Sequence, residues 1–232
     1  HELAQHHLGV HVAPEAVAGL ARYQALLLDW NQQMNLTAIT DPAAIAVRHF
    51  LDSLSVLTLP NLPAQARLID LGTGAGLPGI PLAIMRPAWR VHLVDATGKK
   101  ITFLRTVINA LGLQNASAEQ ARAETLGQAG DYRATYDLVT ARAVAHLPVL
   151  AEYMLPLCAE DGLCIALKGD TAHTEKDDAA QALRILGGEI ERIARVDLPG
   201  VEMPHYLVCI RKVAPTPAMY PRRDGVPRKN PL

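Results

Sequence analysis

The feature that most constrains the fold is a run of glycines directly after a short apolar segment. Arg67–Leu71 has the length and apolar character of a buried strand, and it is followed by Gly72-Thr73-Gly74-Ala75-Gly76-Leu77-Pro78-Gly79. Glycines at this point let the backbone turn sharply and approach a ligand closely. A helix is predicted from about Pro78 to Met85. Strand, turn and helix in this order form the first unit of an open α/β sheet.

Short apolar segments alternate with helical patterns along the rest of the chain, which predicts a parallel, doubly wound sheet. The last two segments are too close for a crossover helix, so we expect an antiparallel hairpin. The fold class is therefore α/β and Rossmann-like, with a mostly parallel seven-stranded sheet and one antiparallel strand, a pattern typical of class I methyltransferases rather than dehydrogenases. The other predicted strands are Val91–Asp95, Ser117–Gln120, Tyr136–Thr140, Leu163–Lys168, Ile193–Leu198 and His205–Val213.

Two helices precede the sheet. Apolar residues recur at spacings of three and four between Pro14 and Met34, and Asp41-Pro42 is a good start for a second helix that ends near Leu59. We expect residues 1–63 to form a helical appendage packed on the core and residues 64–214 to form the Rossmann-like domain. Residues 215–232 are basic and rich in proline, so we expect an extended tail with little helix.

Composition excludes several classes of protein. The chain is 50% hydrophobic and 19% charged, as in ordinary globular domains. It has neither an apolar run of about 18 residues nor the pattern of a signal peptide, so we expect a cytoplasmic protein without membrane segments. We also expect a monomer. The three cysteines form no CxxC pair and the nine histidines show no ligand spacing, so no metal is expected. The net charge of −1 implies that an anionic partner is met by a local basic patch.

Two cofactors fit the glycine run. Gly74 to Gly79 match the GxGxxG pattern of dinucleotide sites, which on its own is a weak signal. The preceding Asp70 gives D-x-G-x-G-x-G, and we expect its carboxylate to face the cationic methionine portion of S-adenosylmethionine. Asp95, at the end of the second strand, can accept hydrogen bonds from ribose hydroxyls in either cofactor. Together with the terminal hairpin, Asp70 favours S-adenosylmethionine, although a dinucleotide stays open.

Two further polar residues follow predicted strands. Glu124 comes after the third strand, where it can contact an adenine edge, although taken by itself it is better explained as an acid at a helix N-terminus. Arg142 lies just past the fourth strand, at the edge of the sheet where ligands of open α/β folds bind.

Longer motifs extend over essentially the whole chain, and in combination they are specific. With these motifs the chain resembles the family of bacterial 16S ribosomal RNA guanine-N7 methyltransferases, also called glucose-inhibited division protein B. The motifs are Trp30-Asn31, Asn35-Leu36-Thr37, Arg48-His49-Phe50-Leu51-Asp52-Ser53, the run from Asp70 to Pro81, Asp95-Ala96-Thr97-Gly98-Lys99-Lys100, Arg122-Ala123-Glu124, Ala141-Arg142-Ala143, Lys168-Gly169 and Tyr220-Pro221-Arg222-Arg223-x-Gly225-x-Pro227.

This resemblance implies a cofactor, a substrate and a set of contacts. The substrate would be a guanine of 16S rRNA near the decoding region, presented by the rRNA or by an assembling small subunit. Leu77 stands where many relatives have Phe, and both residues are apolar enough to cover part of the cofactor. The implied S-adenosylmethionine contacts, with Gly74 added from the loop itself, are Gly72, Gly74, Leu77, Asp95, Ala96, Thr97, Ala123, Glu124 and Arg142.

The expected chemistry needs no catalytic base. The chain has no Pro-Cys pair for attack on a pyrimidine and no [Asn/Asp]-Pro-Pro-[Tyr/Phe] loop for an exocyclic amine. Guanine N7 carries a lone pair and no proton, so positioning alone would supply most of the catalysis. The alternatives are a methyltransferase for another substrate, an NAD-dependent oxidoreductase, and a ribosome-associated factor that uses the cofactor only as a structural ligand. His49 and Asp52 are expected to contact each other within one helix. Besides Arg142, the candidates for binding RNA phosphates are Arg48, His49, Lys99, Lys100, Lys168, Arg222 and Arg223.

Overall fold

A seven-stranded sheet runs through the centre of this computed structural model, which describes residues 2–232. The strand order is β3-β2-β1-β4-β5-β7-β6. Strand β7 runs antiparallel to both of its neighbours, and every other pairing is parallel. The predicted sheet and its terminal antiparallel hairpin are therefore confirmed. The strands are β1 (Arg67–Leu71), β2 (Arg90–Asp95), β3 (Ala116–Gln120), β4 (Tyr136–Arg142), β5 (Cys158–Lys168), β6 (Gly188–Val196) and β7 (His205–Lys212).

Helices connect the strands and contribute to two hydrophobic cores. Successive side chains of β1 point to opposite faces of the sheet, so Leu68 packs in one core and Ile69 in the other. In the described part of the chain, no helix combines the length and apolar character needed to cross a membrane. The helices are α1 (Glu2–Leu8), α2 (Pro14–Asn31), α3 (Pro42–Ile45), α4 (Asp52–Leu54), α5 (Gly79–Met85), α6 (Gly98–Leu111), α7 (Ala123–Gln128), α8 (Leu147–Met154), α9 (Ala172–Asp178), α10 (Ala180–Leu186) and α11 (Val226–Lys229).

The N-terminal helices pack on the sheet through the same core as α5 and α6. Tyr23 and Leu27 of α2 are fully buried, and the Tyr23 hydroxyl donates a 2.5 Å hydrogen bond to the Ala75 carbonyl of the glycine run. The predicted second helix is interrupted. Between α3 and α4 the segment Ala46–Leu51 is π-helical, and a 3₁₀ turn, Ser55–Thr58, follows α4. A π-helical turn rotates the side chains beyond it, and such turns are frequent at functional sites.

The prediction of an extended tail is wrong, because the last residues pack back onto the protein. Arg222 forms an ion pair with Glu152, a fully buried residue of α8, at 2.7 Å. The Gly225 N–H donates to Glu124 at 3.0 Å, and α11 begins at the next residue. A buried carboxylate needs partners of this kind, so the contacts hold the tail against α7 and α8.

One buried carboxylate organises the turn after β1. Asp70 is fully buried and accepts hydrogen bonds from the Thr73 hydroxyl (2.5 Å), the Gly79 N–H (3.0 Å) and the Thr140 hydroxyl of β4 (2.8 Å). The expectation that Asp70 faces a ligand is therefore wrong, since its oxygens are occupied inside the protein. Burial raises the pKa of Asp70 to about 6, against the lowering effect of these hydrogen bonds.

Gly79 is required where α5 meets the sheet. A β-carbon at this position would overlap with Leu93 Cδ2 and lie 2.9 Å from Asp70 Oδ2. The closeness of helix and strand therefore depends on the missing side chain.

We expect Gly79→Ala to destabilise the protein by about 1–3 kcal/mol, because the added methyl group overpacks this junction. Gly130→Ala is the matched control, since a β-carbon there meets nothing within 4 Å. Urea unfolding of the two variants and the wild type measures the difference. Equal stabilities for both variants would contradict the packing argument.

We expect the Asp70 carboxyl group to titrate near pH 6 in the folded protein. Since this pKa is raised above its unfolded value of 3.8, the stability that Asp70 contributes is complete below about pH 4 and decreases as the pH rises through 6, by on the order of 3 kcal/mol. Carbon-13 NMR of the carboxyl carbon, with Asp70→Asn to assign the resonance, gives the midpoint. A midpoint near 4 would show that the hydrogen bonds cancel the effect of burial and would contradict this expectation.

Candidate cofactor and substrate site

The carboxyl ends of four adjacent strands bring the predicted cofactor residues to one edge of the sheet. The glycine loop follows β1, Asp95 ends β2, Glu124 follows β3 and Arg142 ends β4. Because β1 to β4 are parallel neighbours, these positions share one edge although they are far apart in sequence.

The glycine loop presents backbone rather than side chains to this edge. Gly72, Gly74 and Gly76 all have positive φ, at 61°, 62° and 98°. Gly72 is exposed, and its β-carbon would lie 2.6 Å from Val144 Cγ2 on the segment after β4. A β-carbon on Gly74 would meet only the Gly72 carbonyl oxygen, at 3.9 Å. Gly72 is therefore needed because Val144 packs against it, whereas Gly74 leaves open space beside the backbone, as a close-fitting ligand requires.

Asp95 has hydrogen-bonding capacity left for a ligand. Its Oδ2 accepts from Gly74 N at 3.0 Å and lies 3.4 Å from Lys100 Nζ, whereas within residues 2–232 Oδ1 accepts only from Thr97 N, at 2.9 Å. A carboxylate has about four acceptor positions, so Oδ1 can accept a further hydrogen bond, such as one from a ribose hydroxyl. Ala96 and Thr97 are exposed beside it.

Leu77 does not lie over the open edge. Its side chain is buried in the core shared by the N-terminal helices and α6. The expected cover of the cofactor by this apolar side chain is therefore not found in the structure.

Glu124 is held in place by the tail. It is buried and accepts from the Gly225 N–H. The Tyr153 hydroxyl also donates to it, and burial together with this carboxylate raises the pKa of Tyr153 to about 12. Ala123, at the start of α7, is half-buried beside it. The position is thus close to the open edge, but its carboxylate already has two protein donors.

Arg142 is held by the π-helical segment. Its Nη1 donates to Asp52 Oδ2 at 2.8 Å and to the Arg48 carbonyl at 3.1 Å, and its Nη2 lies 3.2 Å from His49 Nδ1. Three of its five N–H groups are therefore engaged, which leaves Nε–H and one N–H on Nη2. In residues 2–232 no buried side-chain nitrogen or oxygen lacks a hydrogen-bond partner, so Nε, which has none, reaches open space.

His49 is a neutral packing partner of Arg142. His49 Nδ1 lies 3.2 Å from both Arg142 Nη2 and the Arg48 carbonyl oxygen, and Nε2 lies 2.7 Å from Thr37 Oγ1. Burial and the charge of Arg142 lower the pKa of His49 to about 4. The residue is buried, so its position favours support of Arg142 over contact with a phosphate.

An open cavity of about 830 Å³ lies beside the glycine loop, at the carboxyl ends of β4 and β5. The loop and the cavity adjoin through the segment after β4, because Ala143 lines the cavity and Val144 packs on Gly72. The β6–β7 connection forms another wall. Among the lining residues that carry charge or can acquire it are Arg48, His49, Asp52, Arg142, Lys168, Glu202 and His205.

The other predicted RNA contacts lie at separate places. Lys168 lines the cavity but is paired with buried Glu175 at 2.6 Å. Lys99 is exposed at the start of α6, next to Lys100. Arg223 is exposed on the tail, whereas the guanidinium of its neighbour Arg222 is turned inward to Glu152. The predicted cations therefore surround the edge instead of forming one patch.

Two residues of this site were missed by the sequence analysis. Asp52 was expected to contact His49, but its carboxylate binds Arg142 and His205 instead. His205 begins β7, and a histidine at a strand end carries no distinctive signal. The π-helical turn that directs Asp52 toward the sheet also has no sequence signature, so spacing in an ordinary helix indicated the wrong partner. Among residues 2–232, no group of three His, Cys, Asp or Glu side chains could hold a metal ion.

A solved structure with the same fold is fibrillarin from Aeropyrum pernix, determined with natively bound S-adenosyl-L-methionine. It superposes with a TM-score of 0.52 at 15% identity, over 69% of this chain and 73% of that chain. At this identity the similarity is one of fold.

Sequence relatives are much closer. Proteins of Desulforamulus reducens and Roseiflexus sp., both named ribosomal RNA small subunit methyltransferase G, are 45% and 48% identical to this chain. The alignments cover 91% of this chain and 88% of the first protein, and 97% of this chain and 95% of the second. The model of the family described as rRNA small subunit methyltransferase G matches residues 16–199. The resemblance found in the sequence is thereby confirmed, and the chain belongs to the rRNA small subunit methyltransferase G family.

Proposed function

We propose that this protein transfers a methyl group from S-adenosylmethionine to N7 of a specific guanine in 16S rRNA. The observation that carries the proposal is the open cavity adjoining the glycine loop, in a chain that belongs to an rRNA methyltransferase family. A methyltransferase for another substrate and an NAD-dependent oxidoreductase have no comparable support.

The cofactor is S-adenosylmethionine, and the residues at the edge of the sheet fit it. The backbone of Gly74 leaves room for close approach, and Asp95 Oδ1 can accept a hydrogen bond from the ribose. Ala96, Thr97 and Ala123 border the same edge. When bound, the cofactor supplies a methyl group attached to a positively charged sulfur.

The cavity is where we place the acceptor base. Its volume exceeds that of a single purine, and it lies next to the loop. Arg48 is exposed at the cavity and forms no side-chain ion pair within residues 2–232, so it can neutralise an RNA phosphate. Lys99 and Arg223, also exposed, are candidates for further phosphate contacts.

For this reaction the protein has to position the two reactants and does not have to transfer a proton. Guanine N7 has a lone pair and no hydrogen, so no base has to remove a proton when the N7–methyl bond forms. Holding the base and the methyl donor in line can supply several kcal/mol of the barrier, about 7–11 at the ideal limit. The rigid frame of Asp70, Thr73 and Thr140 suits this task, because it fixes the loop against β4. Location in the cytoplasm and a monomeric state stay predictions.

The direct experiment incubates the protein with S-adenosylmethionine carrying a labelled methyl group and either naked 16S rRNA or small subunits. We expect label in the rRNA, and we expect mass spectrometry of the nuclease digest to identify 7-methylguanosine at one position. Subunits already methylated at N7 by the host would be blocked, so the RNA should come from a strain that lacks the modification. Label at another atom, or no label in either RNA sample, would refute the proposal.

We expect Asp95→Asn to weaken binding of S-adenosylhomocysteine by roughly 10- to 100-fold, because a hydrogen bond to a charged acceptor is lost. Glu191→Gln is the control, since Glu191 pairs with Arg211 on the far hairpin at 2.5 Å. Isothermal titration calorimetry of the two variants measures the change. An unchanged affinity in Asp95→Asn would exclude Asp95 as a ribose contact.

A further inference from the structure

Asp52 joins three parts of the chain at the floor of the cavity. It follows the π-helical segment, and its carboxylate binds Arg142 at the end of β4 and His205 at the start of β7. The residue is buried. Burial acts to raise the pKa of Asp52, but the hydrogen bond from His205 and the charge of Arg142 outweigh it, so the pKa lies below its ordinary value. Asp52 is therefore a carboxylate at neutral pH.

The contact with Asp52 determines which nitrogen of His205 is free. A carboxylate only accepts hydrogen bonds, so His205 Nδ1, at 3.0 Å from Asp52 Oδ1, carries a proton. Nε2 has no hydrogen-bond partner within residues 2–232, and since no buried polar atom there is without one, Nε2 reaches open space. The side chain lines the cavity and is 29% exposed. In the neutral ring, Nε2 is an acceptor.

Guanine offers a matching edge. Its N1 and N2 carry N–H groups, on the opposite side of the base from N7. Adenine has an acceptor at N1, so an acceptor on the protein distinguishes the two purines. Recognition by an acceptor at this position also leaves N7 free to react.

We propose that Asp52 is a positioning residue that holds His205 so that its Nε2 accepts a hydrogen bond from the N–H edge of the target guanine. This inference rests on the proposed function. It assigns base selection to a pair of residues that come from the N-terminal helical segment and from the antiparallel strand. Arg142 holds the other oxygen of Asp52 and prevents the carboxylate from turning away.

The decisive variant is His205→Asn. The asparagine amide can still donate to Asp52 from the place of Nδ1, but it has no atom at the place of Nε2. We expect kcat/KM for the RNA to decrease by roughly 10- to 100-fold, the effect of leaving a buried donor of the base unpaired. Affinity for S-adenosylhomocysteine and the melting temperature should stay close to those of the wild type. If His205 only braces Asp52, His205→Asn keeps full activity, and the inference is overturned.

Asp52→Asn and the double variant complete the cycle. We expect Asp52→Asn to decrease kcat/KM for the RNA as well. The double variant should have a kcat/KM only slightly below that of His205→Asn, since both residues act through one contact. Losses that multiply would overturn the inference, as would an Asp52→Asn variant with normal kcat/KM.

Glu119→Gln is the matched control, because it breaks another carboxylate–histidine pair, with His92 at 3.0 Å, outside the cavity lining. It should methylate the RNA like the wild type. If neither the wild type nor Glu119→Gln methylates guanine N7, the proposed function fails. If both of these proteins methylate N7 and the Asp52 and His205 variants have the same kcat/KM for the RNA, only the inference fails.

Discussion

The site depends on the buried carboxylate of Asp70. It receives hydrogen bonds from the loop that follows its own strand, from the first residue of α5 and from β4. A single side chain thereby sets the position of the exposed glycine backbone relative to the strand that carries Arg142. The energetic cost of burying this carboxylate is seen in its raised pKa, and three donors offset part of that cost.

A second carboxylate, Asp52, performs a similar task on the other side of the cavity. It comes from the helical segment that precedes the sheet, so this segment contributes directly to the site. Both carboxylates are buried and both are held by hydrogen bonds on each oxygen. They differ in their partners, since Asp70 is surrounded by neutral donors, whereas Asp52 faces a guanidinium and an imidazole. This difference explains why the pKa of Asp70 is raised and that of Asp52 is lowered.

The order of strands and helices could be predicted from the sequence, because periodicity and glycine position report on local backbone geometry. The terminal hairpin followed from the short link before His205. The roles of side chains were harder to predict. Asp70 was expected to face a ligand because its position in the motif does not reveal which way a strand residue points. The tail was expected to be extended because its proline content does not reveal the buried Glu152 that binds Arg222.

The antiparallel direction of β7 has a consequence for variation within the family. Because β7 runs opposite to β5, its amino end lies at the same edge as the carboxyl end of its neighbour, with Lys168 paired to Tyr206. His205 is anchored by this pairing and by Asp52, independently of the connection from Asp197 to Pro204. That connection can change in length or sequence without displacing the histidine. The wall of the cavity is thus free to adapt to different RNA surroundings while the contact that we propose between His205 and the base stays in place.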